Sequence, residues 1–215
     1  MLQAQPALRQ LMVLKPFMLR SFSISAFLNK SIPLSESSHF HSHETDIKNR
    51  FAISYLSDEE LPKSDVLKSK LIIGWTPEQG KVDPKTFIEN PEFIDFMTSI
   101  LKENIHKVDD SNLKAMADWQ KEGYVNEISS EQHVRVFMQN RRWLHIGDER
   151  NPPAWGRINF PEDIIGSVEL DHGKIKKGSY QSMPAHRLIT NNGLFQLSEP
   201  LTKCVVEASK KVATS

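Results

Sequence analysis

The sequence has a single cysteine, Cys204, and no long apolar run, and each scarcity excludes a class of protein. One cysteine cannot form an intrachain disulfide or a multi-cysteine zinc site, so the chain does not require an oxidising compartment. No segment approaches the ~18 consecutive apolar residues of a membrane-spanning helix. The sequence therefore predicts a soluble chain without a membrane span.

Recognisable catalytic motifs are also missing. The chain has no serine in a G-x-S-x-G turn, no H-E-x-x-H and no glycine-rich phosphate-binding loop. Basic and acidic residues both number 27, so no excess of positive charge favours nucleic acid. Arg135, Arg141 and Arg142 lie near Trp143, but such a cluster is usually a solvated strand edge. The sequence therefore leaves open whether the chain is an enzyme, and it predicts no cofactor and no nucleic-acid partner.

Acidic residues are absent from the first 35 positions, where leucine, methionine, phenylalanine and serine surround scattered basic residues. This composition is typical of a mitochondrial transit peptide. A secretory signal fits less well, because Lys15 and Arg20 interrupt the apolar run. The segment from Arg20 to Ser23 resembles a cleavage site of the matrix processing peptidase. We therefore predict import into the mitochondrial matrix and removal of residues 1–22.

Residues 23–50 are rich in serine and histidine and have no apolar period, which predicts a disordered linker. His39, His41 and His43 alternate, so in an extended segment they would share one face and could bind zinc. Nothing local would orient the three rings, so we predict no metal site. The remaining residues, 51–215, are predicted to form a single globular domain.

A change of period after residue 90 predicts two helices. Asn90 and Pro91 form a helix-start signal, as do Asp83 and Pro84 earlier in the chain. Apolar residues then recur at helical spacing, at positions 93, 94, 97, 100, 101 and 105. A second helix is predicted from Ser111 to about Glu122. The short link between them favours an antiparallel pair.

After Gly123 the pattern indicates strands. The runs "RRWLHIGD", "IIGSVEL" and "HRLIT-NNG-LFQLS" suit strands, and the last has the turn residues of a hairpin. Ser198 is then predicted to cap a final amphipathic helix. The sequence thus predicts an α+β fold in which an N-terminal helical pair packs on a mostly antiparallel C-terminal β-sheet, closed by a terminal helix.

The loop between "WLHIG" and "IIGSVEL" is long for a compact domain and is stiffened by prolines. Its candidate residues are six charged side chains and one aromatic: Asp148, Glu149, Arg150, Arg157, Glu162, Asp163 and Trp155. One hypothesis is a structural brace, in which the arginines and carboxylates pair with each other. The other is a binding site, in which the arginines hold a carboxylate or phosphate.

Five further polar residues are predicted to converge on the same end of the sheet: His145, Tyr180, Ser182, His186 and Arg187. Histidine with a carboxylate is a common acid–base pair near neutral pH. From the missing motifs and the balanced charge, we predict a non-catalytic matrix protein, an assembly or stability factor that binds a protein partner. The alternative is a binding protein or enzyme for a small anionic metabolite, using Arg150, Arg157 and His145.

Overall fold

The computed structural model describes residues 31–34, 37–61, 67–125, 141–154 and 157–215. Several predictions concern residues outside these ranges. They are the transit peptide, the first part of the linker, Arg135 and Trp155, which belongs to the long loop of residues 148–163, called the charged loop below.

The described part of the chain contains short strands and three α-helices. The strands are β1 Ile32–Leu34, β2 Ser37–Glu44, β3 Phe51–Ser54, β4 Gly74–Thr76, β5 Ile88–Glu89, β6 Arg141–Gly147, β7 Ile164–Asp171, β8 Lys174–Ile175, β9 Gln181–Ser182, β10 Ile189–Thr190 and β11 Gly193–Leu194. The helices are α1 Pro91–Asn104, α2 Ser111–Val125 and α3 Glu199–Thr214.

The first sheet has five antiparallel strands in the order β1-β2-β3-β4-β5. Close approach of β4 to β5 requires a glycine at one point. A Cβ on Gly74 would lie 2.4 Å from the Phe87 ring and 2.5 Å from the carbonyl oxygen of Ile88. Strands β4 and β5 can therefore approach this closely only because residue 74 has no side chain.

The second sheet is built on the long antiparallel pair β6–β7, to which β8 and β9 add short pairings with β7. Its register places His145 opposite Ser167. The strands β10 and β11 form the predicted hairpin, with Gly193 at a positive φ of 96°. This sheet supports both ends of the charged loop, because β6 ends at Gly147 and β7 begins at Ile164.

Helix α1 begins where the sequence predicts. The Asn90 side chain accepts a hydrogen bond from the Glu92 amide at 3.1 Å, and Pro91 occupies the first turn. The earlier signal at Asp83 begins a turn rather than a helix, since its carbonyl accepts from the amides of Thr86 and Phe87.

An aromatic cluster joins the first sheet, α1 and the chain after β11. Phe40, Tyr55, Phe93 and Phe195 are all buried, and the Phe40 and Tyr55 ring centroids are 4.8 Å apart. The Phe195 ring contacts those of Phe40 at 5.7 Å and Phe93 at 6.1 Å. These rings fill the centre of the larger core cluster.

The predicted fold class is wrong in its arrangement. Mixed α and β structure is present, and the sheets are antiparallel, but the helical pair is not N-terminal. Five strands precede or border α1, and α1 packs mainly on α3 while α2 packs on β6. The early strands are only two to eight residues long, and β1 and β2 lie in the segment predicted to be a linker, so the predicted fold class placed no sheet before the helical pair.

The described part of the predicted linker also differs from the prediction, because it contains strands instead of a disordered segment. Residues 32–34 and 37–44 form β1 and β2, and Phe40, Ser42 and His43 are buried. The His43 ring contacts Asp58 at 3.0 Å and the carbonyl oxygen of Leu56 at 2.8 Å. These partners are distant in sequence, which is why a local pattern did not indicate them.

Within the described ranges, no helix has both the length and the apolar character needed to cross a membrane.

Candidate functional site

The charged loop is closed at its base by backbone hydrogen bonds. The Asp148 amide donates to the Asp163 carbonyl at 2.8 Å, so the loop leaves and rejoins the sheet at one point. The Glu149 amide donates to the carbonyl of Gln196 at 2.9 Å, which attaches the loop to the segment after β11. A Cβ on Gly147 would lie 2.8 Å from Asn159 Oδ1, so glycine allows the loop to fold back on β6.

Arg150 lies under this loop with its side chain fully buried. Its Nε is 3.1 Å from Asp163 Oδ1 and 3.3 Å from Asp148 Oδ2. Its Nη atoms donate to the carbonyl oxygens of Gly193 at 3.2 Å, Glu162 at 3.2 Å and Arg187 at 2.8 Å. The guanidinium thus joins the loop to the β10–β11 hairpin and to the chain before it, which is the geometry of a brace.

The two carboxylates of this network are equally well satisfied. Asp148 Oδ1 accepts from the amides of Arg150 at 3.0 Å and Gln196 at 2.8 Å, while Oδ2 contacts His186 Nε2 at 3.1 Å. Asp163 Oδ2 accepts from the Asn151 side chain at 2.9 Å. Since every group has protein partners, the network stabilises the loop and leaves Arg150 no exposed donor for a ligand.

A cavity of about 450 Å³ lies on the other side of the loop. Its walls are the first turns of α2, the end of β6, the loop itself and the start of α3, and the lining is mostly apolar. The polar residues among them are Asp110, Asn112, His145, Asp148, Glu149, Arg157, Asn159 and Ser198. Binding sites for small molecules typically have this size and this mixture of apolar walls and a few polar groups.

His145 is one of the polar residues that line the cavity, and one of its ring nitrogens is available there. Its Nδ1 is 2.8 Å from Ser167 Oγ on the neighbouring strand, which fixes the ring orientation. Among the described residues the ring forms no other hydrogen bond, so Nε2 is the nitrogen left to contact a ligand. The half-buried ring can donate or accept there, depending on its tautomer.

Glu149 lines the cavity, and within the described part of the chain only one long hydrogen bond offsets the negative charge of its carboxylate. Its Oε1 accepts from Asn112 Nδ2 at a long 3.4 Å. Partial burial raises the pKa of this carboxyl, and the nearby carboxylates of Asp110, Asp148 and Glu199 raise it further against the opposing Asn112 hydrogen bond. Among the described residues no cation pairs with it.

Arg157 is the exposed arginine of the loop. Its amide donates to the Ala154 carbonyl at 3.0 Å, and its side chain lines the cavity. Within the described ranges it forms no ion pair. Arg157 therefore differs from Arg150 in the one property that a ligand requires, an accessible guanidinium.

Other predicted residues lie elsewhere. Tyr180 is buried in the core, where its hydroxyl donates to the Ile165 carbonyl at 3.3 Å and burial raises its pKa well above the ordinary value. The side chains of Glu162, His186 and Arg187 line a second, more polar cavity of about 490 Å³, together with Glu89. The predicted site residues therefore do not form a single site. They are divided between the hydrophobic core, the buried network of Arg150 and two cavities.

Sequence patterns did not indicate the contribution of α2 and α3 to the first cavity. Asp110 caps α2 by accepting from the amides of Asn112 at 2.9 Å and Leu113 at 3.1 Å. Its other oxygen accepts from the hydroxyl of Ser198, which therefore bridges to α2 instead of capping α3. An acidic residue before a helix is a visible cap signal, but its pairing with Ser198 depends on the fold.

No group of three or more His, Cys, Asp or Glu side chains in the described ranges is arranged to hold a metal ion.

Comparison with protein-family models, with curated proteins and with solved structures found no match for this chain.

Proposed function

We propose that this protein binds a small organic anion in the cavity between the charged loop and α2. The observation that carries the proposal is the exposed residue Arg157, which lines a mostly apolar cavity of about 450 Å³ and pairs with no described carboxylate. Arginine recognises carboxylates and phosphates through its planar fork of donors. His145 Nε2 supplies a second polar contact, and the apolar walls would cover the body of the ligand.

In this proposal only one of the two arginines of the loop contacts the ligand. Arg150 holds the loop shape and leaves Arg157 as the anion-binding cation. The buried network therefore acts on the ligand only through the position of the loop. This division predicts that ligand affinity depends on Arg157, while stability depends on Arg150.

The test is thermal melting across a set of small carboxylates and phosphates with three proteins: wild type, Arg157→Gln and Lys177→Gln. Lys177 is exposed after β8 and controls for the loss of one positive charge. A ligand at a hundredfold excess over its dissociation constant should stabilise the wild type and the control by about 2.7 kcal/mol. Arg157→Gln should lose most of this gain. Equal stabilisation of all three proteins, or of none, would contradict the proposal.

A second candidate function is binding of a protein partner, as an assembly or stability factor. Two large apolar side chains of the same loop favour it, since Ile158 is 73% exposed and Phe160 is 70% exposed. Crosslinking in cells should recover a partner with the wild type and not with the Ile158→Ser, Phe160→Ser double variant. The purified pair should then rebind; a partner recovered equally with both proteins would argue against this surface.

We further propose that the protein works in the mitochondrial matrix, since the first 35 positions contain basic but no acidic residues. Mass spectrometry of the native protein should find a new N-terminus near Ser23. An intact Met1 on the native protein would exclude removal of a transit peptide.

A further inference from the structure

The cavity contains two opposite charges that do not pair with each other. Glu149 and Arg157 both line it, at two different points of the same loop. No ion pair joins them, although each is accessible to solvent. A ligand of one sign would satisfy one of these groups and leave the other uncompensated.

The remaining acidic residues of the lining are already satisfied, which singles out Glu149. Asp110 accepts from two amides of α2 and from the hydroxyl of Ser198. Asp148 is enclosed by Arg150 and His186. Glu149 has only its 3.4 Å contact with Asn112, so it is the cavity carboxylate that gains most from an added cation.

The neighbouring carboxylates strengthen this preference. They raise the pKa of Glu149, in addition to the effect of its burial, because each makes a further negative charge unfavourable. An added ammonium group relieves this repulsion. A purely anionic ligand would instead place its charge in a cavity whose walls already carry three carboxyl side chains.

We propose that the ligand is a zwitterion, an amino acid whose carboxylate binds Arg157 and whose ammonium group binds Glu149. Its apolar body would lie against the walls between them, where Leu113, Met116 and Ile158 contribute side chains. This inference rests on the proposed function, because it assumes that Arg157 holds the anionic end. It narrows the ligand class from organic anions to amino acids with an apolar side chain or spacer.

The experiment compares four probes that share one six-carbon chain: hexanoate, hexylamine, norleucine and 6-aminohexanoate. The two amino acids separate the charges by a short and a long spacer. Binding of each probe is measured by calorimetry to wild type, Glu149→Gln and Arg157→Gln. Glu103→Gln, an exposed glutamate of α1, and Lys177→Gln serve as matched controls for the loss of each charge.

At least one amino acid should bind the wild type and both controls about tenfold or more tightly than hexanoate, as a charge-assisted hydrogen bond implies. Glu149→Gln should remove this advantage while hexanoate binds as before or better. Arg157→Gln should weaken every probe that has a carboxylate. Melting of each variant without ligand checks that the fold is retained.

Two outcomes overturn the inference in distinguishable ways. If hexanoate binds through Arg157 as well as both amino acids do, or if Glu149→Gln leaves the difference unchanged, the zwitterion is excluded and the anion-binding function stands. If no probe binds the wild type, both the inference and the proposed function fail.

Discussion

The two arginines of the charged loop show how different two similar residues of one segment can be. The Arg150 side chain is fully buried, with Asp148, Asp163 and three carbonyl oxygens around it. Arg157, seven positions later, is exposed at a cavity without a described ion pair. The Arg150 guanidinium donates to groups of the protein itself, whereas the donors of Arg157 are available to a ligand. One loop therefore contains a buried arginine that pairs within the fold and an exposed arginine that lines a cavity.

The largest expected effect is loss of the buried arginine. Arg150→Ala leaves Asp148 and Asp163 without their cation, so the free energy of unfolding should fall by about 3–5 kcal/mol. Arg157→Ala should change it by no more than about 0.5 kcal/mol, as is usual at an exposed position. Urea unfolding of both variants measures the contrast.

Arg150→Lys keeps the charge but not the planar fork, and should fall between these two values. Equal effects of Arg150→Ala and Arg157→Ala would mean that the division of roles between the two arginines is wrong.

Adjacent carboxylates at the start of α2 offer a second contrast between a buried and an exposed group. Asp110→Ala removes the cap of α2 and the link to Ser198, so it should lower the free energy of unfolding by about 1–2 kcal/mol. Asp109, whose side chain is 88% exposed, pairs among the described residues with the exposed Lys114, and its replacement by alanine should leave the stability nearly unchanged. Thermal melting of the two alanine variants compares their stabilities. A larger loss of stability for Asp109→Ala than for Asp110→Ala would contradict this prediction.

The smallest expected effect concerns pH and Glu149. Its pKa is raised in the folded protein above the ordinary value of 4.5, so the fold binds this proton more tightly than the unfolded chain does. Ionisation of Glu149 therefore destabilises the fold. The penalty is absent below the ordinary value and fully present once the pH exceeds the raised pKa.

Glu149→Gln should accordingly raise the melting temperature slightly at pH 7, within the ~0.5 kcal/mol typical of surface changes, and the gain should vanish at pH 4. Melting at both pH values, with Glu103→Gln as control, measures this. A gain at pH 4 that equals the gain at pH 7 would show that the effect is unrelated to ionisation.

Local signals in the sequence predicted those elements whose causes are local. Asn90 and Pro91 mark the start of α1, and the asparagines before Gly193 mark the β10–β11 hairpin. In both cases a few adjacent residues determine the backbone conformation. The strand pair β6–β7 was likewise visible from its apolar runs.

Long-range partners explain what the sequence could not reveal. The β2 strand was mistaken for a linker because the partners of His43, Leu56 and Asp58, lie more than ten residues away in sequence. The helical pair was placed N-terminally because β1 and β2 were not recognised before it. The roles of Arg150 and Arg157 also depend on distant atoms, since the carbonyl oxygens of Arg187 and Gly193 complete the shell of Arg150. These distant contacts cannot be read from the residues adjacent to either arginine, so only the fold establishes their different roles.

Arginine-selective labelling of the native protein with phenylglyoxal tests the central claim most directly. Peptide mass spectrometry gives the rate of modification at each arginine, with and without hexanoate and 6-aminohexanoate. Arg157 should react rapidly and be protected by a bound probe, whereas Arg150 should react only once the protein unfolds. Similar rates at the two arginines, or no protection of Arg157 by either probe, would contradict the account of one brace and one binding arginine.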